Sequence, residues 1–186
     1  DGFGLTFYSD KLDFFTPAKS SPSHYNRLIG ELEKMLTINN HNNEKSTNLS
    51  STISQFIDKI PQRSLVIIFS DMMNFDNTSK ESFFEPFQHL RYKKNEVILF
   101  HVQDLNTEKL FNFSNQPYNF IDLENGKNVK LNPSNYKDIY SNLYNNFQKD
   151  LELSCSKYKI EYVPSFIQEG FSQVLLSYLT KRSKIF

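Results

Sequence analysis

The 186 residues contain no tryptophan, one cysteine and five glycines, and their 21 Lys plus Arg balance 21 Asp plus Glu. One cysteine, Cys155, cannot close an internal disulfide, so the fold rests on its apolar core, and a buried inert thiol in a reducing compartment is expected. With no net charge and basic residues scattered along the chain, no long-range field gathers polyanions, which argues against a nucleic-acid partner. Apolar runs such as 65–69 fall far short of the ~20 residues that cross a bilayer, so no membrane segment is expected, and no signal segment opens the chain. Glycine is equally telling. Asp1-Gly2-Phe3-Gly4 lacks the third glycine of a dinucleotide fingerprint, and there is no phosphate loop, no Gly-x-Ser-x-Gly elbow and no His-Glu-x-x-His.

What is present is aromatic and aliphatic: 18 Phe and 10 Tyr accompany a length that suits one domain. At that size folding removes roughly 70% of the unfolded surface, enough for a self-sufficient core. The most informative stretch is Gln62-Arg63-Ser64-Leu65-Val66-Ile67-Ile68-Phe69-Ser70-Asp71, an apolar β-branched run that ends in a hydroxyl and a carboxylate. It reads as a central parallel strand covered on both faces. In open α/β sheets the ligand crevice lies beyond the carboxyl ends of the strands, which places Ser70 and Asp71 where that architecture keeps its chemistry.

Around this strand the pattern predicts a hairpin from strands at 2–8 and 12–15, turning at Ser9-Asp10. Ser21-Pro22 caps a helix with Tyr25, Leu28, Ile29, Leu32, Met35 and Leu36 inward. A helix marked by Leu49, Ile53, Phe56, Ile57 and Ile60 stops before Pro61. Thr78 and Glu81 offer a capping box for a helix with Phe84, Phe87 and Leu90, which Pro86 is expected to kink or delay. A buried strand at 96–102 follows, then a small hairpin at 120–131 centred on Asn125-Gly126 in a type I′ turn. Pro133 and Ser134 introduce a long helix with Tyr136, Ile139, Tyr140, Leu143, Tyr144, Phe147 and Leu151 inward. A last strand at 160–163 and a helix at 170–182 end the chain. Strands alternating with helices imply a three-layer, doubly wound, mostly parallel α/β sheet with an edge hairpin and a small inserted hairpin.

Loops at one end of such a sheet converge, so Ser46 and Thr47 can face Asp71 and Met72 despite their separation in sequence. A hydroxyl and a carboxylate make part of a hard-cation site of the kind Mg²⁺ takes. The plainer reading is that Thr47 or Asn48 caps the next helix and Asp71 satisfies nearby backbone amides; spacing alone favours it. His101 near a strand end reads as a packed or solvent-facing histidine. Asp104 and Glu108 read as a helix start rather than as an acid-base pair.

In order, Arg63 through Asp71, Val102-Gln103-Asp104 with Glu108, Asp122-Leu123-Glu124-Asn125-Gly126, and Tyr178-Leu179-Thr180-Lys181-Arg182 resemble the bacterial domain-of-unknown-function family fifty-eight. The resemblance implies a von Willebrand factor A-like fold and a non-enzymatic interaction or adaptor role beside a MoxR-type AAA+ ATPase, hence a cytoplasmic protein. Metal-binding A-type domains use an Asp-x-Ser-x-Ser loop, then a Thr, then an Asp. Thr47 and Asp71 match the last two. The first loop has no counterpart, so the resemblance implies a single domain over 1–186 that lacks its first strand and helix and keeps only a remnant of the ion site. Mg²⁺ is then expected only where that loop is present. The runner-up is a phosphoacceptor or phosphatase-like doubly wound enzyme using Asp71, against which the lack of a lysine at the next strand end counts.

Overall fold

In the computed structural model, residues 1–9, 12–37, 49–73, 75, 79–122 and 126–183 are described. They fall into two compact units, one of residues 1–61 with 122–127, the other of 62–121 with 128–186.

The first unit is built on an antiparallel pair, β1 (Phe3–Tyr8) and β2 (Leu12–Lys19). The predicted hairpin strands are present, the second four residues longer at its end; Asp10 of the expected turn lies outside the described residues. Phe7 stacks on Phe14 across the pair at 5.3 Å. A side chain at Gly4 would come within 2.8 Å of the Thr16 carbonyl, so only glycine lets the strands close at the register shift between Phe3 and Leu5. Helix α1 (Pro22–Thr37) starts as the sequence predicts, with the Ser21 hydroxyl accepting the His24 N–H at 3.3 Å and proline in the first turn. Its first turns reach β1 through Phe3–Tyr25 ring packing and a 2.8 Å bond between His24 Nε2 and the Phe3 carbonyl. Of the residues expected inward, Leu28 is buried, whereas Ile29, Leu32, Met35 and Leu36 are exposed. A two-stranded ribbon is too small to cover a 16-residue helix that runs about 24 Å. Helix α2 (Leu49–Phe56) buries Leu49, Ile53 and Phe56, sets Phe56 against Phe15, and tightens into a 3₁₀ turn before Pro61.

The second unit carries the parallel sheet, ordered β3 (Leu65–Ser70), β4 (Glu96–Gln103), β7 (Glu161–Phe166). Parallel neighbours need crossovers, and α3 (Lys80–Tyr92) and α4 (Lys137–Lys157) supply them. On the side of the sheet facing α4 lies His101, whose ring meets Phe147. On the other side Ile98, Phe100 and Val163 pack against Val174 and Tyr178 of α5 (Gly170–Ser183). This parallel sheet flanked by helices is compatible with the predicted doubly wound class, but β1 and β2 form a sheet of their own rather than the expected edge hairpin of that sheet. The central strand, however, is β4, buried from Val97 to Phe100, and not β3. In β3 Ile68 is buried while Leu65 and Ile67 are 46% and 47% exposed, because the α5 residues that cover this side sit over β4 and β7.

Ser79, next to the predicted Thr78, caps α3 by accepting the Ser82 N–H; Thr78 lies outside the described residues. Pro86 neither ends α3 nor delays it. The helix runs through that residue, which is buried beside Phe83, Phe84, Phe87 and Leu90. In the small hairpin of β5 (Tyr118–Ile121) and β6 (Asn128–Leu131), Ile121 pairs with Asn128 and the Asp122 N–H bonds the Lys127 carbonyl at 2.8 Å. Asn125 of the expected type I′ turn lies outside the described residues, and Gly126 has φ +70°, the left-handed conformation that favours glycine. Along α4, Leu151 is fully buried, but Ile139 and Leu143 are 58% and 64% exposed, so the buried stripe is narrower than predicted. Cys155 is fully buried, and burial pushes its thiol up to about 12. Among the described residues no helix is long and apolar enough to cross a membrane.

Candidate functional site

The backbone of β3 ends in a tightly built loop. The Ser70 hydroxyl accepts the Met72 N–H at 3.1 Å, and Asp71 Oδ1 accepts the Met73 N–H at 3.2 Å. Asp71 thus satisfies a nearby amide, as the plainer sequence reading expects. Met72 is left-handed, φ +56°, a conformation that costs a non-glycine residue about 1 kcal/mol or more. Two anchors offset that cost. The Met72 side chain is 2% exposed and its carbonyl accepts the Phe75 N–H at 3.0 Å. Phe75, 1% exposed, enters an aromatic cluster with Phe83, Phe84 and Phe147 at ring separations of 5.5, 5.9 and 5.8 Å. The two methionines part company: Met72 turns inward and Met73 is 63% exposed.

Behind the loop lies a buried polar network. His101, which pairs with Ser70 in register, is 2% exposed and sets Nε2 at 3.0 Å from the Asp71 carbonyl. A carbonyl only accepts, so Nε2 carries the proton and Nδ1 is the acceptor. Nδ1 faces the Tyr162 hydroxyl at 2.8 Å and Gln103 Nε2 at 2.6 Å, while Gln103 Oε1 accepts the Tyr144 hydroxyl. Burial pushes His101 down to about 4, despite the opposing pull of the Asp71 carbonyl and carboxylate. Burial likewise raises the phenols of Tyr144 and Tyr162, the latter to about 12. The network is therefore neutral at pH 7. His101 is packed, one of the two readings that the sequence leaves open, but Gln103, Tyr144 and Tyr162 go unassigned there. The available signal is a glutamine closing a strand that is largely apolar, since a buried amide demands partners.

Asp104 starts a π-helical turn at Leu105–Lys109, accepting the Asn106 and Thr107 N–H groups at 2.8 Å each. Gln168 Nε2 donates to its other oxygen at 2.8 Å, and these bonds, that from Thr107 first, hold the carboxyl below its usual range. This is the expected helix start. Burial raises the carboxyl of Glu108, and the charges of Asp104 and Asp71 add to the shift. Tyr140 donates to the Glu108 carbonyl at 2.6 Å.

Ser46 and Thr47 lie outside the described residues. Among the described residues, no group of three or more His, Cys, Asp or Glu is placed to hold a metal ion. The structure thus brings together Ser70, Asp71 and Met72 with His101 and Gln103.

Residues 1–149 match the family model described as protein of unknown function DUF58. The chain belongs to the DUF58 family. The DUF58 match contains both strand ends of the site, Asp71 and Asp104, and the hairpin motif that begins at Asp122. The stretch from Tyr178 to Arg182 falls beyond the part matched to DUF58. No curated protein and no solved structure matches the chain.

Proposed function

We propose that this DUF58 chain is a non-enzymatic interaction module of von Willebrand factor A-like fold, working in the cytoplasm and docking a MoxR-type AAA+ ATPase through the loop after β3. One observation carries the reading: Met73 is 63% exposed beside the exposed Asp71, on a backbone held by the Ser70 hydroxyl and the Asp71 carboxylate. A flexible thioether next to a carboxylate on a rigid support suits an adaptable protein contact. The ring nitrogens of His101 are both engaged and the ring is 2% exposed, so it is poorly placed to act on a substrate. The ATPase partner and the fold family come from the resemblance to DUF58 proteins. The same resemblance implies a cation-binding role for Thr47, which lies outside the described residues, and for Asp71.

The test immobilises the chain and titrates a purified MoxR-type AAA+ ATPase from the same cell. Asp71→Lys and Met73→Lys should each weaken capture about tenfold or more, as for residues at the centre of an interface. EDTA should leave capture unchanged. Wild-type capture by both variants would remove this loop from the interface, and no capture by the parent chain would remove the partner.

A further inference from the structure

The strand-end loop has a left-handed non-glycine residue and is nonetheless tightly held, which requires something to fix the peptide just before it. Three bonds within the loop serve Met72 and Met73, but none of them reaches the carbonyl of Asp71, the group that joins the strand to the turn. That carbonyl is taken by His101 from the neighbouring strand, at 3.0 Å. The neutral ring carries a single proton, and the surroundings choose which nitrogen holds it. Tyr162 of β7 and Gln103 of β4 both bring donors to Nδ1, at 2.8 and 2.6 Å. Gln103 in turn accepts the Tyr144 hydroxyl on Oε1, and in that orientation its NH₂ faces the ring.

We propose that His101 is a positioning residue for the Asp71–Met73 loop: its Nε2–H tautomer clamps the Asp71 carbonyl, and the chain Tyr144–Gln103–His101 ties that clamp to helix α4. The inference rests on the docking reading only in what the loop is for. Its physical content is that the orientation of one amide on β4, set from α4, decides which nitrogen of the imidazole is protonated. If the Gln103 amide reversed, its oxygen would face Nδ1, the ring would be driven to carry a proton there, and Nε2 could no longer donate to Asp71. Rearrangement of α4 about Tyr144 would thereby release the loop that presents Met73. Ligand-bearing surfaces gain specificity from this kind of support behind them.

The experiment is nuclear magnetic resonance of the full chain at pH 7. Long-range proton–nitrogen correlations of the His101 ring should show a protonated Nε2 and a bare Nδ1, and an Nδ1–H or doubly protonated ring overturns the proposal. Tyr144→Phe removes the hydroxyl with little change of volume. It should raise amide exchange at Met72 and Met73 about fivefold or more while the buried amides of Ile98 and Leu99 stay within about twofold, as expected for a local opening. Unchanged exchange at Met72 and Met73 would show that α4 does not govern the loop and would overturn the proposed link. Neither measurement involves the ATPase. A correct tautomer and a loosened loop together with failed ATPase capture would sink the docking function alone.

Discussion

His101 joins two strands and a loop through neutral hydrogen bonds, and that makes it sensitive to acid. Unfolded, its ring takes a proton near 6.5; folded, burial delays this to about 4. Between those values the unfolded chain binds more protons than the folded one, so the stability that His101 allows above pH 6.5 is lost as pH falls toward 4. The full loss is on the order of 3 kcal/mol. Urea unfolding at pH 7 and pH 4.5 should show this decline in the parent chain and a flatter dependence in His101→Gln. Equal slopes in the two proteins would assign the acid sensitivity to other groups. The position of Asp71 at a strand end was legible from sequence because an apolar run that stops at a carboxylate is a pattern in one dimension. The clamp behind it was not, since Gln103, Tyr144 and Tyr162 come from three elements and meet only after the sheet has formed.

Among the elements, α3 shows which local signals survive packing. Its start is capped by a hydroxyl one residue from the position that the Thr-x-x-Glu spacing indicates, the Ser79 oxygen accepting the Ser82 N–H. Ser79→Ala should therefore lower stability by about 1 kcal/mol, the usual worth of such a cap, measured as a shift in the urea midpoint. A change below about 0.3 kcal/mol would mean that the exposed first turn frays in the parent chain as well. Pro86 was misleading in the other direction. Its missing N–H costs a helix bond, but buried aromatic neighbours on the same face outweigh the local preference. The 120–131 hairpin was found from its Asn-Gly dipeptide, while its strand register, with Ile121 opposite Asn128, follows from cross-strand pairing that no dipeptide encodes. The exposed ion pair Lys80–Asp150 between α3 and α4, at 2.9 Å, adds little to any of this.

At the scale of the whole molecule, strand–helix alternation was enough to give the parallel sheet and its crossovers, since chain connectivity leaves few alternatives. It did not give the sheet order. Uniform hydrophobicity in 65–69 suggests cover on both faces, while the described structure gives that cover to β4. Apolar residues of α1 and α4 that periodicity assigns to the interior, among them Leu36 and Leu143, are exposed, because periodicity measures which side of a helix is greasy and not whether anything lies against it. One sulfur, sealed on the buried face of α4, turns this architecture into its own stopwatch. Because Cys155 is the chain's sole thiol, is fully buried and resists ionisation, an alkylating reagent should label the native protein at least about a hundredfold more slowly than a short cysteine peptide at pH 8. Each added mass tag then records a single opening of the region around α4, counted by mass spectrometry in a mixture and without engineering a probe. Prompt labelling of the untreated chain would place that sulfur near solvent and contradict the packing of Leu151 and Cys155.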